Sequence, residues 1–194
     1  MALRSIPSSL QNTESRKINL NLSFAIKESI LEEALYLDRK VFLQLAKRLF
    51  DREQNPLVPQ LVSLIENLKC EEAIELLQTN AQKPGAPLIR TYCQLALFRM
   101  KEKGPFHDNL CNFIEKNISH EMIELKPILS WNDRIMDHSY RLTSKETTQL
   151  LVDSFSALAN AKDEKSINCL LNAIKTGNPK NRFALAGLLL RAVE

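Results

Sequence analysis

Apolar residues recur every three or four positions along most of this chain, which is the spacing of a helix with one buried face. After Asp38 the apolar positions follow the order i, i+1, i+4 and i+5. They are Val41, Phe42, Leu45, Ala46, Leu49 and Phe50. No segment alternates apolar and polar residues between turn signals, so no strand is predicted. The pattern therefore predicts an all-α protein.

Capping and turn residues divide this pattern into successive helices. Asp38 is predicted to cap one helix, and the segment Thr143–Glu146 forms a capping box for another. In the first predicted helix, Ile26, Ile30 and Ala34 form the apolar face. The predicted helices cover about 22–37, 38–50, 56–68, 71–81, 88–101, 106–116, 119–127, 131–141, 143–160, 163–176 and 178–193.

Pairing of successive helices gives about five helical hairpins after one leading helix. They cover residues 39–68, 71–101, 105–129, 131–160 and 163–193. One hairpin alone buries only part of its apolar face, whereas stacked neighbours form a continuous core. We therefore predict an irregular N-terminal segment over residues 1–20 and one helical-repeat domain over residues 21–194.

An internal repeat supports the prediction of stacked hairpins. The segment Glu72–Met100 returns as Glu164–Val193, with Arg90 aligned to Arg182 at an offset of 92 residues. The same offset aligns Leu97 with Leu189 and Arg99 with Arg191. Self-similarity at a fixed offset is the signature of a repeat architecture.

The second helices of these two segments resemble those of HEAT-type helical repeats, including the short repeats of phycobilisome-lyase-like proteins. That family's second helix begins with an arginine and carries small or apolar residues three, four, six and seven positions later. Here these are Cys93, Gln94, Ala96 and Leu97 after Arg90, and Leu185, Ala186, Leu188 and Leu189 after Arg182. The chain departs from the family at Gln94, and at Phe98 and Leu190, where glycine is usual. The resemblance implies an α-α superhelix (solenoid) in which the arginines commonly link neighbouring repeats.

Composition and charge restrict the class of function. The chain has 194 residues, of which 44% are apolar, and it carries 26 basic and 23 acidic residues. This nearly balanced charge does not require a polyanionic partner. No apolar run reaches the length of a membrane span, and the N-terminus lacks the apolar centre of a secretory signal. We therefore expect no membrane association and a cytoplasmic location.

The four cysteines give no metal or redox motif. Cys70, Cys93, Cys111 and Cys169 form no C-x-x-C pair, and no histidine lies at zinc-binding spacing from two of them. Each lies in or beside an apolar helical pattern, so buried thiols are expected rather than metal or redox use. No metal and no cofactor are predicted.

Candidates for catalysis are few. His107 and Asp108 are neighbours, as are Asp137 and His138, but adjacent side chains on a helix diverge by about 100°, so neither pair is expected to form a dyad. Asp133 and Asp137 share a face and could bind a cation or act as acid and base, although a solvated face is preferred. Motifs of hydrolases, zinc proteases and phosphate loops are missing from the sequence. The chain is therefore not expected to be an enzyme, and no catalytic residue is predicted.

The leading hypothesis is a scaffold that binds another protein on the concave face formed by the second helices. Arg90, Arg99, Arg182 and Arg191 are the candidate partner-binding residues. Arginine forms bidentate pairs with carboxylates and phosphates, which suits it to such a face. For Arg90 and Arg182, a structural role that links repeats is the preferred interpretation.

Nucleic-acid binding is the alternative hypothesis. Basic residues at the hairpin ends would form one edge if the repeats stack in register, and these are Lys83, Lys101, Lys103, Lys175, Lys180 and Arg182. Such an edge could contact phosphates, and a HEAT-like DNA glycosylase family shows, by fold analogy alone, that the architecture permits it. Lysine is also common at helix C-termini because it complements the helix dipole, so nucleic acid is the less favoured partner. A lyase subunit resembling the phycobilin-attaching proteins is a third hypothesis, for which no pigment site is identified.

The last predicted helix carries apolar side chains nearly all round. Arg191 is the only charged residue over 183–193. Terminal repeats of solenoids need polar outer faces, so we expect further chain, a second copy or another partner to cover this helix. Leu185, Leu188 and Leu189 are expected to be buried. Phe183 or Leu190 is expected to form the outer contact of a homodimer through this helix.

Overall fold

The computed structural model describes residues 26–27, 29–51, 57–118 and 144–193, and every regular element in these ranges is helical. Helix α1 covers residues 29–37, and it is followed by α2 (Arg39–Phe50), α3 (Val58–Leu68), α4 (Glu71–Ala81), α5 (Pro87–Arg99), α6 (Phe106–Ile118), α7 (Ser144–Ala161), α8 (Glu164–Thr176) and α9 (Arg182–Val193). A short 3₁₀ turn, Pro179–Asn181, leads into α9. The all-α prediction is confirmed for these residues. The predicted helices over 119–127 and 131–141 lie outside them.

Local capping determines where several helices begin. The Asp38 carboxylate accepts hydrogen bonds from the amides of Lys40 at 2.7 Å and Val41 at 3.2 Å, and it thereby satisfies amides that have no acceptor within α2. Pro87 occupies the first position of α5, where a missing amide hydrogen costs nothing. The capping box at Thr143 predicts the start of α7 correctly to within one residue.

Three helices end on a lysine in the left-handed conformation. Lys69, Lys101 and Lys162 follow α3, α5 and α7 with φ values of 47°, 60° and 54°. Glycine is the usual residue here because it has no Cβ to clash with the backbone in this conformation. Any other residue lowers the stability of the fold by about 1 kcal/mol. A lysine in place of glycine puts a positive charge beside the negative end of the helix dipole.

Alternate helices pack side by side and run parallel. Helix α2 contacts α4, α6 contacts α8, and α3, α5, α7 and α9 form one continuous row of contacts. The C-terminal ends of α3 and α5 are joined by an ion pair between Glu66 and Arg99. The ends of α2 and α4 meet where Lys83 Nζ donates to the Phe50 carbonyl at 2.7 Å.

Helix α5 lies at the centre of the core. It contacts α3, α4, α6 and α7. Its buried residues cover about two thirds of its circumference rather than one narrow stripe, and they are Leu88, Ile89, Thr91, Tyr92, Cys93, Leu95, Ala96 and Leu97. Arg90, Gln94 and Phe98 share the remaining side and are half-buried. A helix buried this widely is stable only with neighbours on several sides.

The predicted apolar face of the first helix is correct at Ala34, which packs partly against the core, and wrong at Ile26 and Ile30, which are exposed. Leu31 is buried instead, and Leu35 packs partly against the core. Two apolar stripes are present in this segment, and the position of α3 selects the one with Leu31, since Gln60 Nε2 of α3 donates to Glu32 on α1.

In the described part of the chain, no helix is long and apolar enough to cross a membrane.

Equivalent positions of the internal repeat give a test of this packing. Leu97 of α5 has no exposed surface, whereas Leu189, its equivalent on α9, is half-buried. Leu97→Ala should lower the free energy of unfolding by about 3–4 kcal/mol, and Leu189→Ala by about 1–2 kcal/mol, because the cavity is larger where the surroundings cannot collapse. Urea denaturation followed by circular dichroism measures both values. Equal losses would contradict the central position of α5.

Candidate functional site

The N-terminal end of α8 carries a polar cluster built on its cap. The Asp163 carboxylate accepts from the Ser166 amide at 2.8 Å and from the Ser166 hydroxyl at 2.7 Å. The side-chain hydrogen bond from Ser166 is the main reason that the pKa of Asp163 is lowered. Asp163 is thus the N-cap of α8, and Ser166 is fixed with its hydroxyl hydrogen directed at this carboxylate.

Residues of α6 complete this cluster. His107 Nε2 lies 3.1 Å from Ser166 Oγ, and His107 Nδ1 lies 3.1 Å from Asp108 Oδ1. Lys165 Nζ donates to Asp108 Oδ1 at 2.6 Å, and this hydrogen bond is the largest cause of the lowered pKa of Asp108. The sequence-based expectation that His107 and Asp108 do not interact is therefore wrong. The short aspartate side chain at the start of α6 turns back to the imidazole of its neighbour.

The order Ser166–His107–Asp108 resembles the order of a hydrolytic triad, but the environment opposes that use. A nucleophilic serine must give its hydroxyl proton to the imidazole and must be reached by a substrate. Ser166 has no exposed surface, and its hydroxyl is 2.7 Å from the Asp163 carboxylate. The cluster is better explained as a polar bridge that joins the first turns of α6 and α8.

A cavity of about 450 Å³ opens beside this bridge. Phe98, Phe106 and Ala157 form its apolar part, and Arg99, Lys101, Glu102, His107, Asn160 and Asp163 are among its polar residues. The rings of Phe98 and His107 lie 6.0 Å apart, tilted by 56°. Charges of both signs surround the opening, so the cavity suits a mixed apolar and polar group rather than a simple anion. A wider groove of about 640 Å³ lies between α2 and α4.

The four arginines predicted to bind a partner do not form one patch. Arg90 and Arg99 are nine residues apart on α5, which places them about 180° apart around the helix. Arg99 forms two hydrogen bonds with the Glu66 carboxylate, at 2.9 and 2.6 Å, and so joins α5 to α3. Arg182 donates to the Lys175 carbonyl at 3.1 Å. The side chain of Arg191 lies outside the described residues.

Arg99 and Arg182 therefore already have intramolecular partners. The acceptor of Arg182 lies on α8, in its own predicted hairpin, so this bond does not join neighbouring repeats as the resemblance implies. Among the described residues Arg90 has neither an ion pair nor a hydrogen bond from its half-buried side chain. Of the four, Arg90 is thus the one whose described side chain is most available to another molecule.

The basic residues at hairpin ends do not form the single edge that was predicted. Lys83 precedes α5 and Lys101 follows it, so the length of α5 separates them by about 20 Å. Lys83 also contacts the C-terminal end of α2, where its Nζ lies 3.7 Å from the Asp51 carboxylate. At the end that holds Lys101, acidic residues open the following helices, so charges of both signs alternate there. The acidic pair Glu71–Glu72 and the acidic residues Asp163–Glu164 are examples.

The cysteines depart from the prediction that all are buried. Cys93 is buried, whereas Cys70, Cys111 and Cys169 are half-buried. Burial raises the pKa of Cys93. Within the described residues, no group of three histidine, cysteine or acidic side chains is arranged to hold a metal ion. The Asp133–Asp137 pair and the Asp137–His138 pair lie outside those residues.

One face of α9 is open to solvent. Phe183 is 91% exposed and Leu190 is 67% exposed. Between them, a side chain at Gly187 would point into open space, with no atom within 4 Å of its Cβ. Positions 183, 187 and 190 share one side of a helix, and we call this surface the open α9 face. As predicted, Leu185 is buried, while Leu188 and Leu189 are only half-buried and pack against the core.

The sequence repeat explains this exposure. At the offset of 92 residues, Phe183 and Leu190 correspond to Thr91 and Phe98 of α5. Thr91 is buried, and Phe98 contacts His107 on the next helix, α6. The open α9 face is therefore the surface that the following helices cover in the earlier repeat.

Comparison of the chain with protein-family models, with curated proteins and with solved structures gives no match. The resemblance to HEAT-type repeats remains a prediction based on the residues quoted above.

The polar cluster at α8 gives a test of its structural role. Asp163→Ala should lower the free energy of unfolding by about 1 kcal/mol at neutral pH, because the cap of α8 is lost, while Asp163→Asn should keep most of it. The pKa of Asp163 in the folded chain is below its ordinary value of 3.8. The stability that the Asp163 carboxylate contributes is therefore present above pH 3.8 and is lost as the pH falls through the folded-state pKa. The difference in free energy of unfolding between wild type and Asp163→Ala should therefore shrink below about pH 4. Denaturation curves at several pH values measure this, and a difference that grows in acid would contradict the assignment.

Proposed function

We propose that this chain is a protein-interaction module, built as a HEAT-like solenoid, that binds its partner through the open α9 face. The observation that carries the proposal is the exposure of Phe183 and Leu190 on a helix that is apolar nearly all round. Large apolar side chains grouped in this way on a surface mark an interaction site.

The helix contacts support the solenoid arrangement. In a solenoid of hairpins, first helices contact first helices and second helices contact second helices in parallel rows. Here the second helices would be α3, α5, α7 and α9, and they contact one another in that order. The first helices would be α2, α4, α6 and α8, of which α2 contacts α4 and α6 contacts α8. On this assignment α6 pairs with α7, and the described helices form four pairs. Two helices of the five predicted hairpins, over 119–127 and 131–141, lie outside the described residues.

The occupant that we propose for the open α9 face is a second copy of this chain. A two-fold dimer needs a self-complementary surface. Gly187 lies near the midpoint between Phe183 and Leu190, so two antiparallel α9 helices crossing at Gly187 would pack Phe183 of one copy against Leu190 of the other. The missing side chain at Gly187 would allow the two backbones to approach closely. The homodimer predicted from the sequence thereby gains a specific geometry.

The concave surface of the second helices remains a further proposed contact surface. Arg90 is its best candidate residue, since Arg99 and Arg182 have intramolecular partners. Nucleic-acid binding is less well supported, because the basic residues lie at opposite ends of α5 and alternate with acidic residues.

Introduction of a negative charge on the open α9 face tests the proposal. The wild-type chain should show a concentration-dependent mass of twice 22.2 kDa in sedimentation velocity. Phe183→Glu and Leu190→Glu should each be monomeric, because a carboxylate buried at the contact costs more free energy than the contact supplies. Both side chains are solvent-exposed in the single chain, so the circular dichroism spectra should not change.

Tyr36→Glu is the matched control, since Tyr36 is 86% exposed but lies on α1. This variant should dimerise as the wild type does. A wild-type chain that stays monomeric at high concentration would rule out the second copy as occupant. A dimer that survives both α9 substitutions would rule out the open α9 face.

The alternative partner class has a separate test. Fluorescence polarisation with DNA and RNA oligonucleotides should show at most weak binding that disappears at physiological salt, since nonspecific phosphate contacts are released by added ions. Submicromolar affinity that persists at that salt would favour nucleic-acid binding over the protein-interaction proposal.

A further inference from the structure

Helices α6 and α8 pack in parallel with a fixed register, although they are separated by more than twenty residues of chain. At their first turns, His107 lies beside Ser166 and Asp108 beside Lys165. At their last turns, the Asn178 amide donates to the Ile118 carbonyl at 3.2 Å. A residue on α6 therefore faces a residue on α8 that is 57 to 60 positions later in the chain.

This register places two cysteines opposite each other. Cys111 is one turn beyond His107, and Cys169 is one turn beyond Ser166. Both side chains are half-buried, and each thiol is near enough to shift the pKa of the other. The Cys111 sulfur also lies 3.8 and 3.9 Å from the two ring nitrogens of His107. The pair is thus partly open to small molecules and is surrounded by polar groups.

We propose that Cys111 and Cys169 form an oxidative modification site, which peroxide converts to a disulfide that joins α6 to α8.

The electrostatics assign different roles to the two sulfurs. The hydrogen bond from Cys111 lowers the pKa of Cys169, although desolvation and the Glu115 carboxylate act in the opposite direction. The same hydrogen bond, together with desolvation and the carboxylates of Asp108 and Glu115, raises the pKa of Cys111. Cys169 is therefore the thiolate that attacks an oxidant, and Cys111 is the thiol that resolves the product.

The chemistry takes two steps with hydrogen peroxide as the oxidant. The Cys169 thiolate attacks one peroxide oxygen, the O–O bond breaks, and the products are a sulfenic acid and hydroxide. Cys111 sulfur then attacks Cys169 sulfur, the S–O bond breaks, and the departing hydroxide takes the Cys111 proton to form water. Two cysteine sulfurs are oxidised, and one peroxide is reduced. The sulfurs must approach to about 2 Å, which requires α6 and α8 to move closer together at this point of the contact.

Each cysteine lies in its own tryptic peptide, so the modification can be mapped without ambiguity. Cleavage at lysine and arginine, except before proline, puts Cys111 in residues 104–116 and Cys169 in residues 166–175, whereas Cys70 and Cys93 fall in 70–90 and 91–99. After treatment of the folded full chain with hydrogen peroxide, mass spectrometry without reductant should show 104–116 linked to 166–175. Dithiothreitol should separate the two linked peptides.

Single substitutions test the two roles. Cys111→Ser should prevent the disulfide and leave a sulfenic acid on Cys169 that dimedone captures, while Cys169→Ser should prevent both products. Cys70→Ser is the matched control, because Cys70 is also half-buried, and it should form the 111–169 disulfide at the wild-type rate. Circular dichroism identifies any variant that fails to fold.

The disulfide should also raise the midpoint of thermal unfolding by roughly 5 °C or more, because it closes a long loop. This shift should be absent in Cys111→Ser and Cys169→Ser. The proposal is overturned if the folded wild type keeps free thiols at both positions under peroxide, or if Cys70 or Cys93 is the principal partner of Cys169.

Discussion

The wide burial of α5 is the constraint on which the rest of the structure depends. Its buried residues leave only one half-buried side, so the helix requires α3, α4, α6 and α7 around it. The polar groups of α5 are used to hold those neighbours. Gln94 Nε2 donates to the Ala81 carbonyl at the end of α4, and Arg99 binds Glu66 of α3. Gln94, which breaks the family pattern of small residues, therefore has a physical reason to be polar.

The same comparison accounts for the exposed apolar side chains of α9. Helix α9 repeats the apolar character of α5 but contacts α7 and α8, with the 3₁₀ turn before it, and has no described helix beyond them. Phe98 is covered in part by His107 of α6, whereas Leu190 is exposed in the described structure. The exposure of Phe183 and Leu190 accompanies the smaller number of described neighbours of α9, and no special motif in α9 is needed to account for it.

Local signals were sufficient to predict the helices, and they were not sufficient to predict the contacts between them. Asp38 and Asp163 cap their helices through carboxylates only two or three residues from the amides that they accept, so short-range sequence contains the information. The face of α1 was predicted only in part because two apolar stripes compete there, and α3 decides between them. The contact between His107 and Ser166 joins positions 59 residues apart, and no pattern in the sequence fixes the register that creates it. The exposure of Phe183 and Leu190 agrees with the expectation from the apolar character of α9 alone.

Register has a chemical consequence at the contact between α6 and α8. Apolar packing alone is not directional, and ridges of one helix can slide past those of another at modest cost. Sliding of α6 along α8 is opposed at both ends of the contact. The polar bridge holds the first turns, and the two backbones approach closely at the last turns. At Gly177 a Cβ would lie 3.1 Å from the Ile118 side chain of α6, so a larger residue would crowd this contact, and it would also lie 2.6 Å from the Ala173 carbonyl of α8 itself. Because the ends are fixed, the residues between them face constant partners. Two thiols placed in the middle of such a contact are held together without a covalent bond, and the relative position of α6 and α8 controls whether they can react with each other.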